Sequence, residues 1–282
     1  MSQPSQSIPV ASRGQRGRSL RLRRAAVLLS LPAFLALLVP LVACGVDKAA
    51  ALPVVSVRAV GVAADLAREA LPRPTRSKPL RIYFGGDSIA GIPCIQFAKR
   101  AAATRVMKTF ADWLVSSRLC NNTPVNWMAR LRAKVVALHP GAVVFMVGAN
   151  DAGMPILAKG HPYGFWEKGW FKEYRRRVGV MMDDALRNGA KRFYWVGMPI
   201  MPPGKYPSSA QMKRLNGAFR LEAEERAAQV RYVNIWGTLA TKDGRYDRQW
   251  RAGDGVHITY AGADRVAAKI MAAVKRDWLP PL

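Results

Sequence analysis

The stretch Tyr83-Phe84-Gly85-Gly86-Asp87-Ser88-Ile89-Ala90 decides how this chain is read. Arg81 to Phe84 predicts a short buried strand, which the two glycines break. Asp87 and Ser88, both good N-cap residues, then stand where a helix can begin. A serine at such a turn lies at the carboxyl end of its strand, where open α/β sheets place their ligands. The octet alone equally describes a capping serine after a turn. Two distant stretches tip the balance, Val147-Gly148-Ala149-Asn150-Asp151 and Gly253-Asp254-Gly255-Val256-His257-Ile258-Thr259. The first puts an amide side chain after a strand, and the second puts a carboxylate three residues before a histidine. Together they hold the parts of a hydrolytic serine site: nucleophile, base, orienting acid and oxyanion donor.

Outward from Ser88 the pattern alternates strand and helix. Strands are expected at Leu80–Phe84, Thr104–Phe110, Ala142–Val147, Arg192–Val196 and Arg231–Trp236. Helices are expected at Ile89–Ala103, Pro124–Leu138, Trp170–Asn188, Ser208–Ala228 and Tyr260–Arg276. The helical periodicity is plain in Trp127, Leu131 and Val135, and in Phe171, Tyr174, Val178, Met181 and Ala185. Ala142–Val147 is an unbroken apolar run, as in a sheet covered on both faces. Five strands alternating with helices imply a three-layer α/β/α sandwich around a parallel sheet. The flavodoxin-like order 2-1-3-4-5 would set Ser88 and Asn150 on neighbouring central strands. Pro155, Gly160, His161, Pro162 and Gly164 mark a loop after the third strand.

Of the 282 residues half are hydrophobic, and the formal net charge is +26. The basic residues are scattered, apart from Lys172-Glu173-Tyr174-Arg175-Arg176-Arg177. That argues against nucleic acid and for a membrane surface or an anionic polysaccharide as partner. Residues 1–24 form a basic segment carrying six arginines and no acid. The apolar run that follows and ends at Cys44 (25–44) makes the pair a signal peptide or membrane anchor. Leu41-Val42-Ala43-Cys44 is similar to a lipoprotein lipobox, with Cys44 the lipidation candidate. Lipoprotein, uncleaved anchor and simple secretion all remain open. Residues 45–79, rich in Ala, Val, Pro and Arg, read as a tether. Residues 80–282 form the folded domain, placed in the periplasm or another extracytoplasmic space.

Three histidines are present. His139 reads as structural, and His161 lies in a loop that could overhang the site. A carboxylate three residues before His257 can fold back onto Nδ1 and offer Nε2 to a serine. Asp151 is a reserve candidate for that acid. No His, Cys or carboxylate cluster has metal-ligand spacing, so neither metal nor cofactor is expected. In an oxidising compartment Cys94 and Cys120 could pair or stay as separate buried thiols.

Gly86-Asp87-Ser88-Ile89, Gly148-Ala149-Asn150-Asp151 and Asp254-Gly255-Val256-His257 resemble, in order, blocks I, III and V of the SGNH (GDSL-type) hydrolase superfamily. Trp170 to Val178 and Gly197-Met198-Pro199 resemble its exported DUF459 subgroup. The resemblance implies the SGNH fold, Ser88 as nucleophile, His257 as base and then acid, and Asp254 as orienter. It implies an oxyanion hole from the N–H of Ser88, the side chain of Asn150 and a backbone N–H of block II. The family's glycine there is replaced by Arg118, which keeps the N–H but adds a guanidinium that would obstruct substrate or bind an anionic one. The activity implied is a serine esterase removing O-acyl groups, acetyl above all, from a carbohydrate or cell-envelope polymer, or acting on a small ester. An O-acyltransferase with the same site and a non-catalytic carbohydrate-binding scaffold are the alternatives.

Overall fold

The computed structural model describes residues 71–280. All of them belong to the second of the chain's two units, Val55–Leu282. The basic segment, the apolar run with Cys44 and most of the tether lie outside the described residues. The last part of the tether, residues 71–79, carries no helix or strand. Among the described residues no helix is long and apolar enough to cross a membrane.

Five parallel strands form the central sheet. They are β1 (Leu80–Gly86), β2 (Met107–Trp113), β3 (Ala142–Met146), β6 (Arg192–Val196) and β7 (Val230–Val233), in the order β2-β1-β3-β6-β7. In the succession of sheet strands this is the expected 2-1-3-4-5. The helices are α1 (Gly91–Ala103), α2 (Trp127–Leu138), α3 (Lys168–Arg187), α4 (Ser209–Glu224) and α5 (Tyr260–Trp278). α1 packs on α5 across one face, while α3 packs between α2 and α4 across the other. Every residue of β3 and of β6 is buried; all are apolar or aromatic except Arg192, which opens β6. Salt bridges tie the helices together: Arg100 on α1 meets Asp264 on α5 at 2.6 Å, and Arg226 meets Asp183 of α3 at 2.6 Å.

The boundaries differ from expectation for local reasons. β1 is not broken at the glycines: Gly85 and Gly86 stay in register with Asp112 and Trp113 of β2 and with Phe145 and Met146 of β3. Glycine serves close approach here. A Cβ on Gly86 would lie 2.2 Å from the Met146 carbonyl oxygen and 2.5 Å from Ala90 Cβ. The second strand starts three residues late, because Thr104 caps α1 and Arg105 turns the chain with φ 61°. α2 starts at Trp127 because Asn126 accepts from the N–H of Ala129. α4 is opened by a capping box of Ser208 and Gln211 and stops short of Ala228 at Glu224. The last strand ends at Val233, where Asn234 accepts from the N–H of Trp236 and starts a 3₁₀ turn. The loop after β3 contains a hairpin, β4 (Ile156–Ala158) with β5 (His161–Tyr163). Its two turn residues, Lys159 and Gly160, both have positive φ, which suits a tight hairpin.

Gly86→Ala must push the Met146 backbone or the Ser88 turn aside. It is expected to destabilise the domain by about 1–3 kcal/mol or more, as read by urea denaturation. A variant as stable as the parent would contradict this packing.

Candidate active site

Ser88 opens a 3₁₀ turn, Ser88–Ala90, directly after β1. Asn150 sits in a matching turn, Ala149–Asp151, just beyond the end of β3. Since Gly86 pairs with Met146, the two turns stand side by side at the carboxyl edge of the sheet. The turn before α5 brings in the third part, and His257 Nε2 lies 3.0 Å from Ser88 Oγ. His257 Nδ1 bonds the carboxylate of Asp254. A carboxylate accepts, so Nδ1 carries the proton and Nε2 is left to accept from the serine hydroxyl. The other oxygen of Asp254 accepts the N–H groups of Val256 at 2.8 Å and His257 at 3.0 Å. Partial desolvation raises the Asp254 pKa, but the His257 bond and these two N–H groups outweigh it and hold the carboxyl at about 2. Asp254 is therefore ionised at neutral pH.

Two buried aspartates hold the turns together. Asp87 accepts from Ile89 N at 2.9 Å within its own turn, and from Gly148 N at 2.9 Å and Ala149 N at 3.1 Å in the next. Asp151 accepts from Leu119 N at 2.8 Å and Cys120 N at 2.7 Å, and from the Tyr174 hydroxyl at 3.1 Å. Burial pushes each carboxyl up to about 6, against the pull of these donors. Asp151 thus braces the block II stretch and makes no bond to His257, so it is not a second orienter.

The same stretch is held from α3. Arg177 donates to the carbonyls of Leu119 at 3.0 Å and Cys120 at 2.7 Å, and pairs with Glu173 at 2.8 Å. Arg175 pairs with Glu222 at 2.7 Å and Arg176 with Glu173 at 2.7 Å. The three arginines of the basic run are therefore engaged with carboxylates and carbonyls of this domain.

The Asn150 amide donates to the Ser117 carbonyl at 3.1 Å, which fixes its plane and leaves its second N–H available. Among the described residues, the backbone N–H groups of Ser88 and Arg118 have no partner, whereas those of Ile89, Ala90, Leu119 and Cys120 are taken. Arg118 is half-buried, and its Nε has no hydrogen-bond partner. His161 is exposed on β5 against Tyr163, and no contact joins it to Ser88 or His257. His139 caps α2 in a left-handed conformation. Cys94 and Cys120 are separate, buried thiols. Among the described residues, no group of three His, Cys, Asp or Glu could hold a metal ion.

A family model described as "Protein of unknown function (DUF459)" matches residues 81–273. No curated protein matches the sequence. Solved structures share the fold at low identity. A GDSL-like lipase from Bacteroides thetaiotaomicron is 18% identical, with a TM-score of 0.51 over 76% of this chain and 97% of that one. A catalytic mutant of an acetylxylan esterase from Geobacillus stearothermophilus is 15% identical, with a TM-score of 0.51 over 72% of this chain and 97% of that one. An α/β hydrolase from the metagenome of Lake Arreo, Spain, is 18% identical, with a TM-score of 0.52 over 69% and 94%.

The buried acids make a pH prediction. Asp151 has a folded pKa of about 6, against about 4 in an unfolded chain. A raised carboxyl favours the folded state below about pH 4, and that contribution is lost as pH rises through about 6. Asp151→Asn lacks this titration. Parent stability relative to the variant should fall across that window in urea titrations at several pH values, and a constant difference would contradict the assignment.

Proposed function

The chain belongs to the DUF459 family and has the SGNH hydrolase fold, and from this premise we propose that it is a serine esterase acting through Ser88, His257 and Asp254. The observation that carries the reading is the continuous hydrogen-bonded chain from Ser88 Oγ through His257 to Asp254. Ser88 Oγ attacks an ester carbonyl carbon while its proton passes to His257 Nε2. Asp254, ionised and bonded to Nδ1, stabilises the imidazolium. The oxyanion is held by the Ser88 N–H, the free N–H of the Asn150 amide and the Arg118 N–H. His257 then protonates the departing alcohol oxygen and leaves an acyl-enzyme. Water, deprotonated by His257, releases the acid and restores Ser88. The aligned chain favours an enzyme over a binding scaffold.

The substrate class we propose is a small O-acyl ester, acetyl above all, on a carbohydrate or cell-envelope polymer. The similarity of fold to an acetylxylan esterase supports it. So does the exposure of Asp254 and His257, whose side chains are 47% and 43% accessible: a bulky polymer can approach so open a site. We further propose that the domain works outside the cytoplasmic membrane, tethered by the N-terminal segment. The arginine-flanked apolar run supports this. A C-terminal alkaline phosphatase fusion should be active in intact cells, and an inactive, stable fusion would refute export.

Ser88→Ala should abolish turnover of p-nitrophenyl acetate while the fold survives. Asp254→Asn, with the tautomer lost, should lower kcat by roughly 10⁴. Undiminished turnover in Ser88→Ala would remove it as nucleophile, and a near-parent rate in Asp254→Asn would remove the orienting role.

A further inference from the structure

Arg251 is a buried cation with no carboxylate in salt-bridge contact, although the charge of Asp254 acts on it from further off. Its side chain is in a residue only 3% exposed, and it forms no ion pair among the described residues. Arg100, Arg130, Arg175 and Arg226 each meet a carboxylate. Burial lowers the Arg251 pKa to about 10, so the group is still charged at neutral pH. Its fork is directed at backbone. Nη1 donates to the Val256 carbonyl at 3.0 Å, and Nη2 to the Ile200 carbonyl at 2.5 Å. Nε has no partner.

The two carbonyls belong to different parts of the machinery. Val256 immediately precedes His257, in the turn that also carries Asp254. Ile200 lies in the segment that leaves β6 at the carboxyl edge of the sheet. Further contacts close the same turn on itself. Arg251 and Ile258 form an isolated bridge, and the Ala252 N–H donates to the His257 carbonyl at 2.8 Å. Tyr246, whose ring centroid lies 5.7 Å from the Arg251 guanidinium, donates its hydroxyl to the Gly255 carbonyl at 2.7 Å. Arg248 donates to the carbonyls of Arg251 at 2.7 Å and Ala252 at 2.6 Å. Of these guanidinium and hydroxyl contacts, only the Arg251 fork reaches out of the turn, to the segment that follows β6.

Stability alone gives no reason for a charge here. A buried cation carries a desolvation cost, and an apolar side chain of similar volume often replaces such a group with no loss of stability. Two oriented bonds from one planar group are what methionine or lysine cannot reproduce. The Ser88–His257 contact spans two segments 169 residues apart, and a misplacement of about 1 Å at a reacting pair can cost about a hundredfold in rate.

We propose that Arg251 is a positioning residue: by bridging the Val256 and Ile200 carbonyls it ties the turn bearing Asp254 and His257 to the segment that leaves β6 and holds Nε2 within reach of Ser88. This rests on the esterase reading above. The test compares parent, Arg251→Met and Arg251→Lys on p-nitrophenyl acetate, with melting temperatures measured alongside. Val135→Ala, in the buried face of α2, supplies a destabilised control that keeps its kcat. Arg251→Met should lose kcat by about a hundredfold with KM within about twofold. Arg251→Lys, which keeps the charge but reaches one carbonyl, should stay well below the parent. Parent kcat in Arg251→Met would overturn the inference, as would full activity in Arg251→Lys, which would assign the effect to charge instead of the bridge. A loss in Arg251→Met no larger than that of a Val135→Ala control of equal melting temperature would also overturn it. If Arg251→Met does not fold, Arg251→Lys decides by the same measure. A parent without turnover would instead refute the esterase reading, so the two failures are distinct.

Discussion

The carboxylate of Asp87 is the constraint on which the site depends. It takes one N–H from its own turn and two from the turn after β3, and so locks the backbone of the Ser88 turn to that of the Asn150 turn. β1 and β3 already lie side by side, but strand pairing fixes only Cα register; the angle at which each chain leaves its strand is free. Three donors converging on one buried acid remove that freedom. They also leave the Ser88 N–H as the group in its turn that no protein acceptor claims, which is the condition for an oxyanion donor.

Burying such acids works against folding. Each carboxyl is pushed up in pKa, and the mutual repulsion of Asp87 and Asp151 adds to the effect of burial on Asp87. A chain selected for stability alone would not bury two carboxylates this close. What they supply is geometry: Asp87 sets the β1 and β3 turns, and Asp151 and Arg177 set the block II stretch against them. Electrostatic stabilisation of a transition state requires donors fixed before reaction, because donors that must reorient lose much of their advantage. The exposed Asp254–His257 pair is the looser half, and the Arg251 bridge is what joins it to the rigid half.

How much of this could be read beforehand depended on whether a feature was local. Ser88, Asn150, Asp254 and His257 each sit in a short motif whose spacing states the chemistry, and the apolar runs mark the sheet strands, while their order follows from the flavodoxin-like expectation. The strand through Gly85 and Gly86 was misread, because glycine breaks a strand by propensity while here it admits a neighbouring backbone. The β4–β5 hairpin was hidden by strands of three residues each. Asp87, Asp151, Arg177 and Arg251 each also bond residues far along the chain, Gly148 and Ala149, Leu119 and Cys120, the same two again, and Ile200, and no short window of sequence contains both ends of those bonds. Asp151 illustrates this: its place beside Asn150 suggested a reserve acid for His257, and only the fold shows it turned toward Leu119 and Cys120.

The central claim is that Ser88 is a nucleophile activated by His257. The most direct measurement is reaction of the purified protein with a fluorophosphonate, followed by mass spectrometry of its peptides. The account predicts a single phosphonyl adduct on the peptide carrying Ser88, with labelling suppressed in His257→Ala. No adduct, or an adduct on another residue, would contradict it.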